Sequence, residues 1–163
     1  MSTFVSVGNA TQPFHRLVRE VERLAAGSVL PLPVFVQYGR TPFRAGVCEG
    51  AAFLSMEEFA RKIREAEVVI LQGGAGSIIT ALSERRMPII VPRLRRYGEV
   101  VDDHQLLLTR RLEAAGRIIA AYDVGEIPAC VNRLRESAGC FTAGEAGTHM
   151  LALLREDLAR YAG

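Results

Sequence analysis

The hydrophobic residues of this chain follow two spacings that alternate along the sequence. Short continuous apolar runs such as Val68–Leu71 are typical of strands buried on both faces. Between them, apolar residues recur every three or four positions, as on one side of a helix. The predicted strands are Phe4–Gly8, Pro33–Gly39, Ala52–Leu54, Val68–Leu71, Pro88–Pro92 and Arg117–Ala121. This alternation predicts an α/β fold with a parallel sheet and helices on both faces.

Helical spacing and helix-start signals define the other elements. Ser55 and Glu58 fit the S-x-x-E capping box, which marks the start of a helix. The predicted helices are Gln12–Ala26, Met56–Ala66, one that opens at Ser77, Asp103–Ala115, Ile127–Ser137 and Thr148–Tyr161. We expect residues 1–137 to form one α/β domain. Residues 138–163 would add a glycine-rich connector and an amphipathic helix that packs on this domain or docks a partner.

The stretch from Val68 to Gln105 contains two successive strand–loop–helix units and a glycine-rich turn. Gly73, Gly74 and Gly76 allow positive φ angles and a close approach of the backbone to a ligand. Ser77 is a natural N-cap, so the first N–H groups of its helix would point back towards the turn and could bind an anion. The alternative is a tight strand-to-helix connection with no ligand.

Three loops are expected to converge at one edge of the sheet, because ligands of open parallel sheets bind beyond the carboxyl ends of the strands. The loops follow Val7, Leu71 and Val91. The first of them, with Gly8 and Asn9, could touch a phosphate or a sugar, or could be only a capped turn. A G-x-G-x-x-G fingerprint does not follow the first strand, so the sequence gives no indication of a dinucleotide cofactor.

The third loop and the helix after it leave two interpretations open. The basic run Arg93, Arg95 and Arg96 could be solvated, yet its place after a strand end makes a phosphate contact equally reasonable. Asp102 and Gln105 form a D-x-x-Q pattern that could bind a ligand or could merely cap the helix.

Composition narrows the classes of function. The chain has 163 residues, of which 49% are hydrophobic, and this is enough for one domain with its own core. The formal net charge is only +2 with both signs interspersed, so we expect no nucleic-acid partner. No apolar run reaches the roughly 18–20 residues that cross a bilayer. We therefore expect a protein without a membrane span, and the scattered cysteines described next indicate a cytoplasmic one.

The residues that commonly bind metals are scattered. Cys48, Cys130 and Cys140 are odd in number and lack C-x-x-C spacing, so we expect reduced thiols. His15 and His149 are isolated and belong to no metal-ligand pattern. The sequence predicts neither a metal site nor a cofactor.

The segment GGAGSIITALSERRMPIIVPRLRRYGEVVDDHQLLLTRRL resembles the C-terminal, donor-binding domain of family-28 glycosyltransferases of the GT-B architecture. The resemblance extends from Phe4 to about Glu136, and the G-x-G-S turn with the GE-x-V-D-D-H-Q segment is its most specific part. It is closest to small one-domain members from bacterial polysaccharide pathways, which are similar to the soluble subunit of the eukaryotic two-subunit dolichol-linked GlcNAc transferase. It implies a single Rossmann-like GT-B half.

The resemblance also implies a UDP-sugar donor and a role for each matching position. The first loop would lie near the diphosphate and sugar, the backbone around Phe53 and Leu54 would bind uracil, and the glycine turn would hold the diphosphate. The start of the later helix would face the sugar hydroxyls, and an arginine would help to stabilise the leaving diphosphate. The implied substrate-binding residues are Gly8, Asn9, Phe53, Leu54, Gly74, Ala75, Gly76, Ser77, Thr80, Arg93, Asp103, His104 and Gln105.

Two positions depart from the family pattern. Gln72 stands where the family often has a histidine, and Thr80 stands where it has a glutamate used on the ribose hydroxyls. Weak donor binding, a different donor and a subunit without activity all remain open. Taken alone, His104 would more often be a surface histidine than a catalytic one.

The resemblance implies an inverting sugar transfer carried out with a second, membrane-associated subunit that holds a lipid-linked or polysaccharide acceptor. Through it the chain would lie peripherally at the cytoplasmic membrane face; isolated chains could form homo-oligomers. The general base is not evident from the sequence. Two alternatives are a non-catalytic sugar-nucleotide-binding or scaffolding protein and a UDP-sugar epimerase, although such epimerases need both halves of the cleft and this chain is short.

Overall fold

The computed structural model describes residues 2–137 together with residues 155 and 156. A six-stranded sheet lies at its centre, with the strand order β3-β2-β1-β4-β5-β6 and every neighbouring pair parallel. The strands are β1 (Thr3–Ser6), β2 (Val34–Gln37), β3 (Cys48–Ala51), β4 (Val68–Gln72), β5 (Ile89–Val91) and β6 (Ile119–Ala120). This confirms the predicted Rossmann-like α/β fold.

Within residues 2–137, five α-helices connect or follow the strands. They are α1 (His15–Ala26), α2 (Met56–Glu65), α3 (Ala75–Ser83), α4 (His104–Ala114) and α5 (Ile127–Ser137), with short 3₁₀ turns at Arg95–Tyr97 and Val124–Glu126. The predicted capping box at the start of α2 is confirmed, because the Ser55 hydroxyl accepts from the Glu58 N–H and the Glu58 carboxylate accepts from the Ser55 N–H.

The alternation of side chains along the strands divides the core between the two faces of the sheet. Val5 and Ile70 pack with α1 and α5 on one face, whereas Phe4 and Val69 pack with α2, α3 and α4 on the other. Because both faces are covered, the central strands are apolar in their interior and carry polar residues only at their ends, which is why they were recognisable in the sequence.

The third strand was predicted at the wrong place. It spans Cys48–Ala51, with Cys48 beside Val34 of β2, whereas Ala52–Leu54 lies beyond its end. This edge strand buries only one of its four side chains, so its backbone pairing leaves little hydrophobic pattern in the sequence.

Helix α3 begins earlier than predicted, and Ser77 is not its N-cap. Gly74 is the N-cap, its carbonyl accepts from the Ile78 N–H at 3.2 Å, and the first helical residue is Ala75. Ser77 therefore lies in the first turn of the helix. No side chain caps this end.

Two of the three glycines of this turn allow close packing, and none of the three has a positive φ angle. The φ angles of Gly73, Gly74 and Gly76 are not positive, which corrects the expectation from sequence. A Cβ on Gly73 would lie 2.9 Å from the Cβ of Gln105, and one on Gly74 would lie 2.5 Å from Nε2 of Gln72. The turn can therefore approach its neighbours only if these two positions lack a side chain.

Parts of the earlier expectations lie outside the described residues. The predicted connector and the terminal helix Thr148–Tyr161 are among them, apart from residues 155 and 156, and so is Cys140. Within the described part of the chain, no helix combines the length and the apolar character needed to cross a bilayer.

The strand order places a topological switch point between β1 and β4. The chain runs from β1 outwards to β2 and β3, and then returns to β4 and continues to β5 and β6 on the other side. The loops after β1 and β4 consequently separate, and they leave a crevice at the carboxyl edge of the sheet. Such crevices are where open α/β sheets bind ligands.

Candidate ligand site at the sheet switch point

A cleft of about 510 Å³ opens at this switch point. Its volume lies within the range of small-molecule sites. One wall is polar and comes from the loops after β1 and β4 and the end of β2, while the start of α2 supplies an apolar wall. The lining residues are Gly8, Asn9, Gln37, Leu54, Met56, Phe59, Ala60, Gln72, Gly74, Gly76, Ser77 and Thr80. None of these side chains is ionisable.

The first turn of α3 forms the inner end of the polar wall. Gly74, Gly76 and Ser77 line the cleft there, and the helix start has no side-chain cap. The first N–H groups of a helix have no partners within the helix, and the positive end of the helix dipole lies at the same place. This end of the cleft therefore suits an anion.

A hydrogen-bond network lies directly behind the glycine turn. The Gln72 Oε1 atom accepts from Nε of Arg93 at 2.9 Å and from Nε2 of Gln105 at 3.0 Å. Oε1 of Gln105 in turn accepts from the backbone N–H of Arg93 at 3.1 Å. The end of β4, the loop after β5 and helix α4 are thereby linked by three residues.

Arg93 is the centre of this network and is fully buried. Its guanidinium lies 4.8 Å from the centre of the Phe14 ring. Its acceptors are the backbone oxygens of Val7, Gln12 and Glu99 and the side-chain oxygen of Gln72. Burial lowers the pKa of Arg93 to about 10, against the opposing effect of the Glu99 carboxylate, so the group stays charged at neutral pH.

This geometry corrects the expectation that Arg93 contacts a phosphate. A guanidinium with no exposed surface and four protein acceptors is not open to a ligand in the cleft. Arg95 and Arg96, in contrast, are exposed, so the basic run combines one buried and two solvated side chains.

An ion pair between α1 and the loop after β5 supports the same region. Glu99 is 4% exposed, and its carboxylate accepts two hydrogen bonds from Arg16, at 3.0 and 3.2 Å, and one from the N–H of Leu94 at 3.1 Å. Arg16 also donates to the carbonyl of Pro92. The GE of the GE-x-V-D-D-H-Q segment thus holds the loop against α1.

The loop after β1 is held by a second set of neutral groups. The Ser6 hydroxyl donates to Oε1 of Gln37 at 2.6 Å and accepts from the N–H of Gly8 at 3.2 Å. Nε2 of Gln37 donates to Oδ1 of Asn9 at 3.4 Å. With its oxygen engaged in this way, the Asn9 side chain can offer its N–H groups to the cleft.

Seven of the thirteen residues implied by the resemblance line the cleft. They are Gly8, Asn9, Leu54, Gly74, Gly76, Ser77 and Thr80. The Thr80 hydroxyl donates to the carbonyl of Gly76 at 3.0 Å, one turn earlier in the same helix.

The other six are not among the lining residues. Ala75 and Phe53 are sequence neighbours of residues that are. The Gln105 side chain bonds to Gln72 and to the N–H of Arg93, and its contact with the donor sugar stays a prediction.

Asp103 and His104 lie apart from the cleft. Asp103 accepts from the N–H of Arg95 at 3.3 Å and lines a smaller pocket of about 230 Å³ with Leu94, Arg96, Leu106, Arg110 and Tyr122. His104 is half-exposed beside Asp102, whose carboxylate accepts from the His104 N–H. The expected contacts of these two residues with the donor sugar therefore stay predictions that concern a ligand reaching beyond the cleft.

Sequence reasoning missed five lining residues, namely Gln37, Met56, Phe59, Ala60 and Gln72. Gln37 and Gln72 are the last residues of β2 and β4, the two strands that flank β1. Both could have been identified from the rule that ligands bind at the carboxyl ends of parallel strands. The other three lie in α2, and their apolar spacing matched that of an ordinary core-facing stripe. Among the described residues, no group of three or more potential metal-ligating side chains is brought together.

Comparison with known proteins assigns the described residues to a family. The model of the Glycosyltransferase family 28 C-terminal domain matches residues 2–137. The chain belongs to this family. The described part of the chain is thus a family 28 C-terminal domain, and the resemblance noted in the sequence is confirmed. No significant match was found among curated protein sequences.

Solved structures show the same architecture in larger glycosyltransferases. The glycotransferase of kitacinnamycin is 16% identical, with a TM-score of 0.64 over 99% of this chain and 40% of that one. The calicheamicin glycosyltransferase CalG4 is 13% identical, with a TM-score of 0.58 over 99% of this chain and 40% of that one. MurG of Acinetobacter baumannii is 18% identical, with a TM-score of 0.52 over 94% of this chain and 49% of that one. This family 28 domain therefore spans less than half the length of these proteins, and at such identities the likeness concerns the fold alone.

Proposed function

We propose that this chain is the donor-binding part of a glycosyltransferase and that the cleft holds a UDP-sugar. Membership of a glycosyltransferase domain family supports sugar transfer as the general activity. The finer parts of the proposal are the UDP-sugar donor, a hexosyl or GlcNAc group, and an acceptor that is lipid-linked or a polysaccharide.

The observation that carries the proposal is a helix start without a side-chain cap that lines a cleft at the switch point. The start of α3 and the Gln72 side chain offer hydrogen-bond donors to the cleft, while Leu54, Met56 and Phe59 line it with apolar groups. A nucleoside diphosphate has the matching halves, since its base is flat and largely apolar on its faces and its diphosphate accepts hydrogen bonds.

The cleft can assist the reaction by stabilising the leaving group. An acceptor hydroxyl attacks the anomeric carbon, the bond from that carbon to the diphosphate oxygen breaks, and UDP leaves with the bonding electrons. Negative charge grows on the diphosphate during this step, and N–H donors fixed at the start of α3 stabilise it without reorganising. The attack from the opposite side inverts the anomeric centre.

The general base would come from outside this part of the cleft, because none of the described residues that line it is ionisable. We propose that it comes with the acceptor site from a second, membrane-associated subunit, which would also hold this chain at the cytoplasmic face of the membrane. The chain spans only 40–49% of the glycosyltransferases with solved structures, which supports the need for a further part.

Isothermal titration calorimetry with uridine, UDP, ADP, UDP-GlcNAc, UDP-glucose and UDP-glucuronate tests the donor assignment. We expect UDP to bind more tightly than uridine, because only UDP reaches the start of α3, and more tightly than ADP. One of the three UDP-sugars should bind best and identify the donor. Equal binding of UDP and ADP, or no binding of either, would remove the proposed site.

A non-catalytic sugar-nucleotide-binding protein is the second candidate. It is favoured by Thr80, whose hydroxyl bonds to the carbonyl of Gly76 and which cannot supply the charge of the glutamate that the family pattern has there. Transfer assays with radiolabelled donor and the co-purified partner separate the two candidates. Donor binding without transfer in the complete assembly would favour this second one.

A further inference from the structure

We propose that Arg93 is a positioning residue that fixes the orientation of the Gln72 side chain, so that Gln72 presents its N–H₂ group to the diphosphate of the bound ligand. The inference rests on the proposed function, because it concerns the same cleft. It adds Gln72 as a residue that contacts the ligand, and it assigns to the buried Arg93 an indirect role in ligand binding.

The orientation of the Gln72 amide follows from its neighbours, some of which can donate hydrogen bonds but cannot accept them. The N–H and the guanidinium of Arg93 have no acceptor atoms. Because the Arg93 N–H donates to Gln105, the Gln105 oxygen must face it, and the Gln105 amide nitrogen must face Gln72. Nε of Arg93 also faces Gln72, at 2.9 Å. Two donors therefore meet one side of the Gln72 amide, and only its oxygen can lie there.

The amide nitrogen of Gln72 is consequently directed to the opposite side, between the two loops of the switch point. A Cβ placed on Gly8 would lie 2.0 Å from this nitrogen, and one on Gly74 would lie 2.5 Å from it. Both glycines line the cleft, as Gln72 itself does. The nitrogen thus occupies the space that side chains at these two positions would fill, at the end of the cleft where α3 begins.

As a result, the cleft surface at Gln72 offers hydrogen-bond donors and no acceptor. The two N–H bonds of Gln72 suit a phosphate oxygen, which accepts but does not donate. With the amide reversed, its oxygen would face the same phosphate and repel it. Arg93 therefore contributes to anion binding without touching the anion, by excluding the reversed orientation.

The variant Gln72→Glu tests the contact with almost no change in shape. One carboxylate oxygen keeps the hydrogen bonds from Arg93 and Gln105, and the second oxygen replaces the N–H₂ group in the cleft. We expect UDP to bind at least about tenfold more weakly, since a donor becomes a charged acceptor, while uridine binds as before. If the Gln72→Glu variant binds UDP as tightly as the native chain, the inference is overturned. UDP binding by the native chain would still support the proposed function.

A double-mutant cycle tests whether Arg93 acts through Gln72. Arg93→Lys should weaken UDP binding in the native chain but cause no further loss in a Gln72→Ala chain, and uridine binding should stay unchanged in all variants. Equal losses in both backgrounds would show that Arg93 acts independently and would overturn its positioning role.

If Arg93→Lys does not fold, Gln105→Met serves in its place, since it removes one of the two hydrogen-bond donors that fix the Gln72 amide. Additive losses of UDP affinity in that cycle would likewise overturn the role. A native chain that binds neither UDP nor uridine would remove both the proposed function and this inference.

Discussion

Replacing Gly76 with alanine separates the stability of helix α3 from its role in binding. Gly76 is the second residue of the helix and lines the cleft. Its φ angle is not in the left-handed range, and a Cβ built on it meets no atom within 4 Å. Alanine therefore fits without strain, and it favours the helical backbone because glycine loses more conformational entropy on folding.

Stability and affinity should change in opposite directions. The free energy of unfolding should rise by about 0.4–1 kcal/mol, which corresponds to an increase in Tm of about 1–4 °C for a chain of this size. The new methyl group stands in the open space of the cleft beside the N–H groups of the first turn. Loss of one hydrogen bond to a charged phosphate costs about 1.5–3 kcal/mol, so UDP should bind roughly ten- to a hundredfold more weakly.

Scanning calorimetry measures the first effect and titration calorimetry with UDP the second. Gly46→Ala is a matched control, because a Cβ there also meets no atom within 4 Å, the φ angle is not left-handed, and the residue does not line the cleft. It should leave the UDP affinity unchanged. If Gly76→Ala is stabilised and still binds UDP with native affinity, the anion does not bind at the start of α3.

Three further predictions concern stability. Ser55→Ala removes the hydroxyl that accepts from the Glu58 N–H, and it should lower the unfolding free energy in urea by about 1 kcal/mol; an unchanged midpoint would contradict the role of this cap. Glu99→Gln removes the negative charge and one of the two oxygens that accept from Arg16, and it should cost about 2–4 kcal/mol in the same assay, whereas a loss below about 0.5 kcal/mol would contradict it. Burial raises the pKa of Cys48 from 9.0 to about 11, so the thiol is neutral in both states below pH 9. Stability should then fall between about pH 9 and 11 as the unfolded state releases its proton first, and this slope should be smaller in Cys48→Ala.

The elements that the sequence predicted well are those whose burial has a regular period. The strand Val68–Gln72 is buried along its whole length, and the residues of α1 that face the sheet recur at helical spacing. The edge strand Cys48–Ala51 was misplaced because its pairing with β2 depends on backbone groups, which every residue type supplies. The start of α3 was misplaced for a related reason, since Gly74 caps the helix with its backbone alone and Ser77 was the more obvious polar residue.

The site was only partly predictable because side-chain direction depends on contacts distant in the chain. Arg93 lies in a basic run with two exposed arginines, and its burial follows from acceptors 81 and 86 residues earlier in the sequence. Gln72 looked like a departure from the family pattern and gave no positive signal. Its orientation is set by a residue 21 positions later.

The charge relevant to anion binding is therefore located behind the cleft rather than in it. The described residues that line the cleft carry no ionisable side chain, whereas the buried guanidinium of Arg93 donates to Gln72, and Glu99 is paired with Arg16. Buried charges are screened less than exposed ones, so the positive charge of Arg93 adds to the positive end of the α3 dipole. In the proposed complex, neutral N–H groups contact the diphosphate while the buried arginine orients one of them and contributes to the field. This arrangement cannot be inferred from the formal net charge of +2 over 163 residues. It depends on which arginine is buried and not on how many arginines there are.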